Sequence, residues 1–302
     1  MNFRFYTAVP LLLMALLAAL AHYFHWDDRL LQVVREQRTS TYQREASIWL
    51  NRYSTDIQAK PLERLLKDEL SGLTWHAPSN TLFSVTGKIP KLVQLSLDGE
   101  LLREIRLIGV ADPEGVEALS DGRFAMIDER RGHLLLFSLP VDDELDLEQA
   151  LRLDLGMLDD AFLYPRNKGL EGIAWDAGKA RFILAKERDP HVLFALGFDL
   201  QRSLFGQLQE LPSGQLFMRD ISGLDLDENT GHLLVLSDES RMLLELDSQG
   251  DPVSFMSLMG GFNGLQKSID QAEGVAMDAD GIIYVVGEPN LFYRFVPEED
   301  GN

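Results

Sequence analysis

Hydrophobic positions change their rhythm along this chain. From Tyr6 to Phe24 the run YTAVPLLLMALLAALAHYF is almost wholly apolar and holds no Asp, Glu, Lys or Arg. At about 1.5 Å of rise per residue, a helix of that length nearly crosses a hydrocarbon core of about 30 Å. Arg4 and the amino terminus lie before it, and Asp27 and Asp28 after it, which predicts a cytoplasmic N-terminus and an exported body. Tyr23, Phe24 and Trp26 suit a membrane interface. An uncleaved anchor and a signal peptide cleaved near Ala21, after Ala19-Leu20-Ala21, both fit. The apolar run continues beyond that site and no helix breaker stands just before it, which favours the anchor. From Asp27 to about Tyr53, the residues Leu30, Leu31, Val34, Ile48 and Leu50 stand among charged and polar positions in a helical pattern. A short helical stalk is expected there, or alternatively a helix packed on the domain that follows.

Beyond that point the rhythm shortens to strand alternation, and it recurs. The recurring segments are LSGLTWHAPSNTLFSVTG from Leu70, PEGVEALSDGRFAMIDER from Pro113, LEGIAWDAGKARFILAKER from Leu170, ISGLDLDENTGHLLVLSDES from Ile221 and AEGVAMDADGIIYVVGEP from Ala272. Each starts on Ser-Gly or Glu-Gly, then runs strand, polar turn, strand. The shared glycines, Gly72, Gly115, Gly172, Gly223 and Gly274, are separated by 43, 57, 51 and 51 residues. Four-stranded propeller blades repeat at about 40–50 residues, and radial stacking buries the faces that one blade leaves open. Third strands follow from Lys91, His133, His191, Arg241 and Leu291. Fourth strands are readable at residues 101–108, 150–155, 205–211 and 253–258. The last repeat has no room for one, so residues 54–62 are expected to complete that blade and close the ring. An all-β, five-bladed β-propeller over residues 54–297 is predicted, behind a membrane segment (1–26) and a stalk (27–53), with a tail at 298–302. A β-sandwich does not account for five near-equal repeats with a shared start.

Charge then narrows the chemistry. The formal net charge of −20 argues against nucleic acid as a partner, because phosphate binding needs a basic surface. Without cysteine, disulfides, zinc–thiolate sites and cysteine nucleophiles are excluded. The repeats place one oxygen-bearing residue per blade beside the axis: Ser71, Glu114, Glu171, Ser222 and Glu273. A lone Ser-Gly or Glu-Gly is ordinarily a strand start; five in phase point to a shared ligand. Three carboxylates with two hydroxyls are a hard, all-oxygen set. That suits calcium, which takes about 6–8 oxygens in flexible geometry, better than octahedral magnesium, and no His or Cys in the set favours zinc or copper.

The motifs Leu70-Ser-Gly-Leu-Thr, Asp112-Pro-Glu-Gly-Val, Asp128-Glu-Arg-Arg, Lys168-Gly-Leu-Glu-Gly-Ile-Ala, Ala185-Lys-Glu-Arg-Asp-Pro, Asp220-Ile-Ser-Gly-Leu and Gln271-Ala-Glu-Gly-Val-Ala carry a resemblance. Over roughly residues 55–296 the chain resembles the SdiA-regulated domain family, the YjiK-like bacterial proteins. The resemblance implies a five-bladed propeller, often behind an N-terminal membrane segment, with a calcium site and no established activity. It places the chain in a bacterial inner membrane, single-pass, with the propeller on the periplasmic side, or secreted if cleavage occurs near Ala21. The order Ser, Glu, Glu, Ser, Glu is also similar to the axial ligands of calcium-activated nucleotidases (apyrases), although the rest of the chain does not look like those enzymes.

The ends of the second strands are polar: Thr86-Gly87-Lys88, Asp128-Glu129-Arg130-Arg131, Lys186-Glu187-Arg188-Asp189, Ser237-Asp238-Glu239-Ser240 and Gly287-Glu288. Glu129, Glu187, Asp238 and Glu288 are candidate general bases, and Arg130, Lys186 and Arg188 candidate anion clamps, beside a metal that polarises a substrate oxygen. The ordinary reading of the same residues is rim salt bridges and turns. No Gly-x-Ser-x-Gly, phosphate loop or His-Glu-x-x-His is present, and His133, His191 and His232 stand at strand starts. Two classes stay open: a calcium-stabilised binding or scaffold module, and a calcium-dependent hydrolase of a phosphoanhydride, phosphoester or lactone. No motif identifies a protein or small-molecule partner.

Overall fold

Helices α1 (Phe3–Tyr23), α2 (Trp26–Glu36) and α3 (Thr41–Glu45) precede an all-β body. The computed structural model describes residues 3–23, 26–158, 169–188, 191–213 and 216–298; Phe24, Lys168, Asp189 and positions 299–302 of the expected tail lie outside them. Strand β1 (Tyr53–Pro61) leads into blade 1, formed by β2 (Leu70–His76), β3 (Thr81–Thr86), β4 (Lys91–Leu95) and β5 (Leu101–Ile108). Next come β6 (Pro113–Ala118), β7 (Arg123–Asp128), β8 (His133–Ser138), β9 (Glu144–Asp146) and β10 (Leu151–Asp154). Of these β9 crosses to pair in parallel with β5, and the other four make blade 2. Blade 3 is β11 (Leu170–Asp176), β12 (Arg181–Lys186), β13 (Val192–Asp199) and β14 (Leu204–Glu210). Blade 4 is β15 (Gly223–Leu226), β16 (Leu233–Ser237), β17 (Met242–Leu246) and β18 (Pro252–Ser257). Blade 5 takes β19 (Ala272–Met277), β20 (Ile283–Gly287) and β21 (Leu291–Pro297), and its outer strand is β1.

The middle strands are apolar on both faces because each blade is covered on both sides. Five buried clusters follow, each drawn from two adjacent blades. Leu234 and Leu243 of blade 4 meet Val285 and Phe295 of blade 5, for example, and Phe83 of blade 1 meets Phe124 and Phe137 of blade 2. Ring closure rests on β1 lying antiparallel to β21, from Tyr53 opposite Pro297 to Pro61 opposite Leu291. Next to it the Leu62 N–H donates to the Asn290 carbonyl (2.9 Å), and the Asn290 side-chain amide donates to the Leu62 carbonyl (2.8 Å).

The segment expected as a stalk is built onto blade 4. Helix α2 lies along β18, the outermost strand of that blade, and buries Asp28, Arg29, Gln32 and Glu36 rather than its apolar residues. An edge strand offers unpaired backbone groups, so the covering helix must bring polar side chains. Glu36 accepts from the Phe255 N–H (2.8 Å) and Arg29 donates to the Ser240 carbonyl (2.9 Å). Asp28 accepts from Ser240 (2.8 Å) and pairs with Arg219 (3.1 Å). Trp26, Leu30, Val33 and Val34 are left exposed.

Farther on, Ile48, Leu50 and Tyr53 enter the core between blades 4 and 5. Fully buried Glu245 fixes this stretch by accepting from the N–H groups of Ile48 (2.8 Å) and Trp49 (3.0 Å), beside His232 Nδ1 (2.6 Å). The Ser254 hydroxyl donates to it as well (2.5 Å), so Glu245→Leu leaves four groups without this partner. It is expected to cost about 3 kcal/mol, read as a lower urea midpoint at unchanged slope; an unaltered midpoint would contradict this anchoring role.

Candidate metal centre at the channel mouth

Ser71, Glu114, Glu171 and Glu273 are the second residues of β2, β6, β11 and β19, and Ser222 immediately precedes β15. These five strands form the inner ring of the propeller and run in one direction, so the five residues share one end of the channel. The glycine after each, Gly223 excepted, serves close approach more than turning. A Cβ on Gly274 would lie 2.6 Å from the backbone of Gly72, and one on Gly72 would lie 2.5 Å from the Glu114 carbonyl oxygen. Of the five, only Gly72 also has a left-handed backbone (φ +56°).

The serines bridge blades. Ser71 Oγ donates to the carbonyl of Glu114 (3.0 Å) and Ser222 Oγ to that of Ala272 (2.6 Å). Each hydroxyl therefore uses its single proton and keeps lone pairs for a cation. The three glutamates retain a little accessible surface at the mouth but are otherwise enclosed by protein. Burial pushes Glu114 up to about 8 and Glu273 to about 9, and Glu171 well above the usual carboxylate range. Mutual repulsion adds to this: Glu171 feels Glu114 and Glu273, and Glu273 also feels Asp238, Glu288 and Glu114. Ser71 opposes the shift at Glu114. The structure thus brings the three carboxylates within reach of one another's field, with the two serines beside Glu114 and Glu273.

A second grouping overlaps the ring. Carboxylate oxygens of Asp112, Glu114 and Glu129 lie within 4.8 Å of one another. Asp112 was not among the residues singled out from the sequence, although the repeats carried its signal. Two residues before each ring position stand Glu69, Asp112, Gly169, Asp220 and Gln271, three of them acidic. Asp220 raises the fields at Glu171 and Glu273, and Asp112 that at Glu114.

The candidate bases divide. Glu129 accepts the Gly169 N–H (2.8 Å) and Asp238 the Ala272 N–H (3.2 Å), each at the start of the next blade. Glu187 is buried and ion-paired with Arg188. Glu288 accepts from Gln271 (2.9 Å), and burial followed by the nearby Glu69 carboxylate raises its pKa. It lines an open cavity of about 300 Å³ beside the ring, with Ser71, Asp112, Glu114, Lys88 and Arg130. The candidate clamps already have anionic partners or are buried. Arg130 holds Asp112 (2.8 Å), Arg188 holds Glu187 and Glu239, and Lys186 is 2% exposed inside β12. The mouth is an acidic, oxygen-lined site closed beneath by backbone.

A five-bladed propeller with an acidic channel mouth is the class that fold and site define. The family model of the SdiA-regulated proteins matches residues 45–296, and the chain belongs to that family. Among solved structures, a luciferin-regenerating enzyme is 11% identical, with 80% of this chain and 95% of that chain covered and a TM-score of 0.48. A gluconolactonase from Xanthomonas campestris is 12% identical, covering 80% and 96%, with a TM-score of 0.46. A nidogen–laminin complex gives 14% identity, coverages of 78% and 84%, and a TM-score of 0.46. No activity is carried over from these three.

Proposed function

We propose that the protein is an exported, membrane-tethered propeller that holds one calcium ion at its channel mouth and serves as a binding or scaffold module. The observation that carries this reading is the shared field of Glu114, Glu171 and Glu273, half-buried at one end of the channel, where a divalent cation offsets the desolvation and repulsion that otherwise make them take up protons. Their carboxylates and the lone pairs of Ser71 and Ser222 would hold the ion. The donors are all oxygen, and water from the open mouth can complete the shell of about 6–8 ligands. The site fits calcium by chemistry and by its irregular, fivefold setting. In calorimetric titration, Glu171→Gln is expected to weaken calcium binding by about tenfold or more, one ligand charge being lost. Wild-type affinity in that variant, or no calcium in the purified protein by elemental analysis, would sink the assignment.

The tether is supported by exposed apolar surface. Leu11, Leu12, Leu13, Met14, Leu16 and Leu17 of α1 face outward, as do Trp26, Leu30, Val33 and Val34 of α2. No single helix among the described residues is long and apolar enough to cross a membrane. Alkaline carbonate extraction of bacterial membranes distinguishes an integral protein, which stays in the pellet, from a released one.

One observation favours a second reading, a calcium-dependent hydrolase of a phosphoanhydride, phosphoester or lactone. The cavity over Ser71 and Glu114 is open and carries Glu288, the candidate base not engaged with the backbone of the next blade. The metal would supply Lewis acidity there. Calcium-dependent turnover that is lost in Glu288→Gln at unchanged calcium affinity would establish the enzyme; no turnover of any of the three substrate classes leaves the binding module.

A further inference from the structure

The opposite end of the channel is chemically separate from the ring. Below the ring the glycine backbones touch, and Leu73, Val116, Ile173, Leu224 and Val275 close the axis, with a void of only about 10 Å³ between them. Beyond this seal the inner strands open into a cavity of about 540 Å³ on the other face. Trp75, Trp175, His76 and Met277 help to wall it, and Glu117 and Asp225 line it. No lysine or arginine lines it among the described residues. Burial lowers the His76 pKa, so its ring adds no positive charge at neutral pH.

The two acids occupy the same repeat position, three residues after the ring. There the five blades carry Thr74, Glu117, Ala174, Asp225 and Ala276. Thr74, Glu117 and Asp225 each accept a backbone N–H of the next blade, from Ala118 (3.1 Å), Trp175 (3.2 Å) and Met277 (2.7 Å). That stapling needs one oxygen, and blade 1 does it with a neutral hydroxyl. Two blades manage with alanine. A carboxylate at Glu117 and Asp225 therefore exceeds what the fold requires. Glu117 is 7% exposed, and its Oε2 is buried with no hydrogen bond of normal geometry, the Thr74 hydroxyl being the neighbour that partly offsets its burial. An orphaned buried carboxylate oxygen is costly unless something binds it. Its largest charge interaction is with Asp225, so the two acids share one neighbourhood. The other buried acids of this cavity are engaged. Asp227 caps the turn at Asn229 and Thr230 (3.1 and 3.0 Å), and Asp278 holds the Asp280 N–H (3.0 Å) and the Tyr284 hydroxyl (2.7 Å).

We infer that this cavity binds a small organic cation, an ammonium or guanidinium compound, whose charged head lies between Glu117 and Asp225 and whose body rests on Trp75 and Trp175. Its volume falls in the range of about 300–1,000 Å³ typical of small-molecule sites. Indole faces attract organic cations. Two available carboxylates supply too few oxygens for a calcium cage of about 6–8. The site goes beyond the calcium reading and stands whether or not the ring holds a metal.

Choline, putrescine and agmatine are the probes, titrated into the full-length protein by calorimetry and by tryptophan fluorescence. At least one is expected to bind with one-to-one stoichiometry. Glu117→Gln keeps an oxygen for the Trp175 N–H but loses the charge, and should weaken that binding about tenfold or more. Trp75→Leu should weaken it with the fold intact, and Glu171→Gln at the ring should leave it unchanged. The inference is overturned if none of the three binds at millimolar concentration, if Glu117→Gln and Asp225→Asn bind like wild type, or if calcium displaces the probe in the Glu171→Gln background.

Discussion

A chain beginning at residue 63 is expected not to fold, whereas one beginning at residue 46 should unfold cooperatively. The difference is the closing strand and the stretch that leads into it. Truncation to residue 63 removes every β1–β21 pairing and leaves the outer edge of blade 5 open. It also removes Ile48, Leu50, Tyr53 and Leu62, each at most 3% exposed, from the cores between blades. Full burial of such side chains contributes about 1.5–3 kcal/mol apiece, and a domain is typically stable by about 5–15 kcal/mol in total. The chain starting at residue 46 keeps all of these and the bonds of Ile48 and Trp49 to Glu245. Circular dichroism in urea separates the two; equal midpoints and slopes would mean that closure does not hold the ring together.

In chelator, thermal stability is expected to fall as pH rises from about 5 to about 9, and calcium should reduce that fall, leaving the share of Glu117 and Asp225 at the opposite end. The unfolded glutamates titrate near about 4.3. In the folded, metal-free ring Glu114 titrates near 8 and Glu273 near 9, with Glu171 shifted in the same direction. Below the unfolded pKa both states carry the proton and the contribution to stability is complete. Between the two pKa values only the folded state keeps it, so each group lowers stability by up to about 1.4 kcal/mol per pH unit. Solvent at the mouth reduces that slope. Above about 9 the folded ring must hold charged carboxylates, and the contribution is gone. A bound divalent cation holds them ionised at lower pH, so calcium binding should release protons and the ring's share of the slope should disappear. Melting curves across this window, with calcium and with chelator, check it; identical profiles would rule out titration of the ring by a metal.

The ring was readable because Ser-Gly and Glu-Gly recur in phase, with glycines that close packing demands at Gly72, Gly115, Gly172 and Gly274. The fourth strands of blades 1 and 4 were readable through alternation at residues 101–108 and 253–258, where the structure has Leu101–Ile108 and Pro252–Ser257. Strand β9 was not: Glu144-Leu-Asp146 is too short and polar to show a period, and only its neighbour β5 makes it a strand. The acids two residues before the ring escaped because the repeats were aligned on the glycine dipeptides. Glu129 and Asp238 show a deeper difficulty. A carboxylate at a strand end looks the same in sequence whether it turns to a metal or to a backbone N–H, and here both hold the next blade. Helix α2 inverts an ordinary rule. Its apolar residues suggest the buried face, yet the Phe255 N–H of edge strand β18 selects Glu36, and the Ser240 carbonyl in the turn before β17 selects Arg29.

That inverted helix also sets a direction. It grips the outermost strand of blade 4 through Glu36, and the turn before β17 through Asp28 and Arg29. With α1 held in a bilayer, as proposed above, blade 4 would be the blade nearest the lipid. No residue of α2 lines the cavity beside the ring or the one at the opposite end, so such a tether would leave both open to solutes.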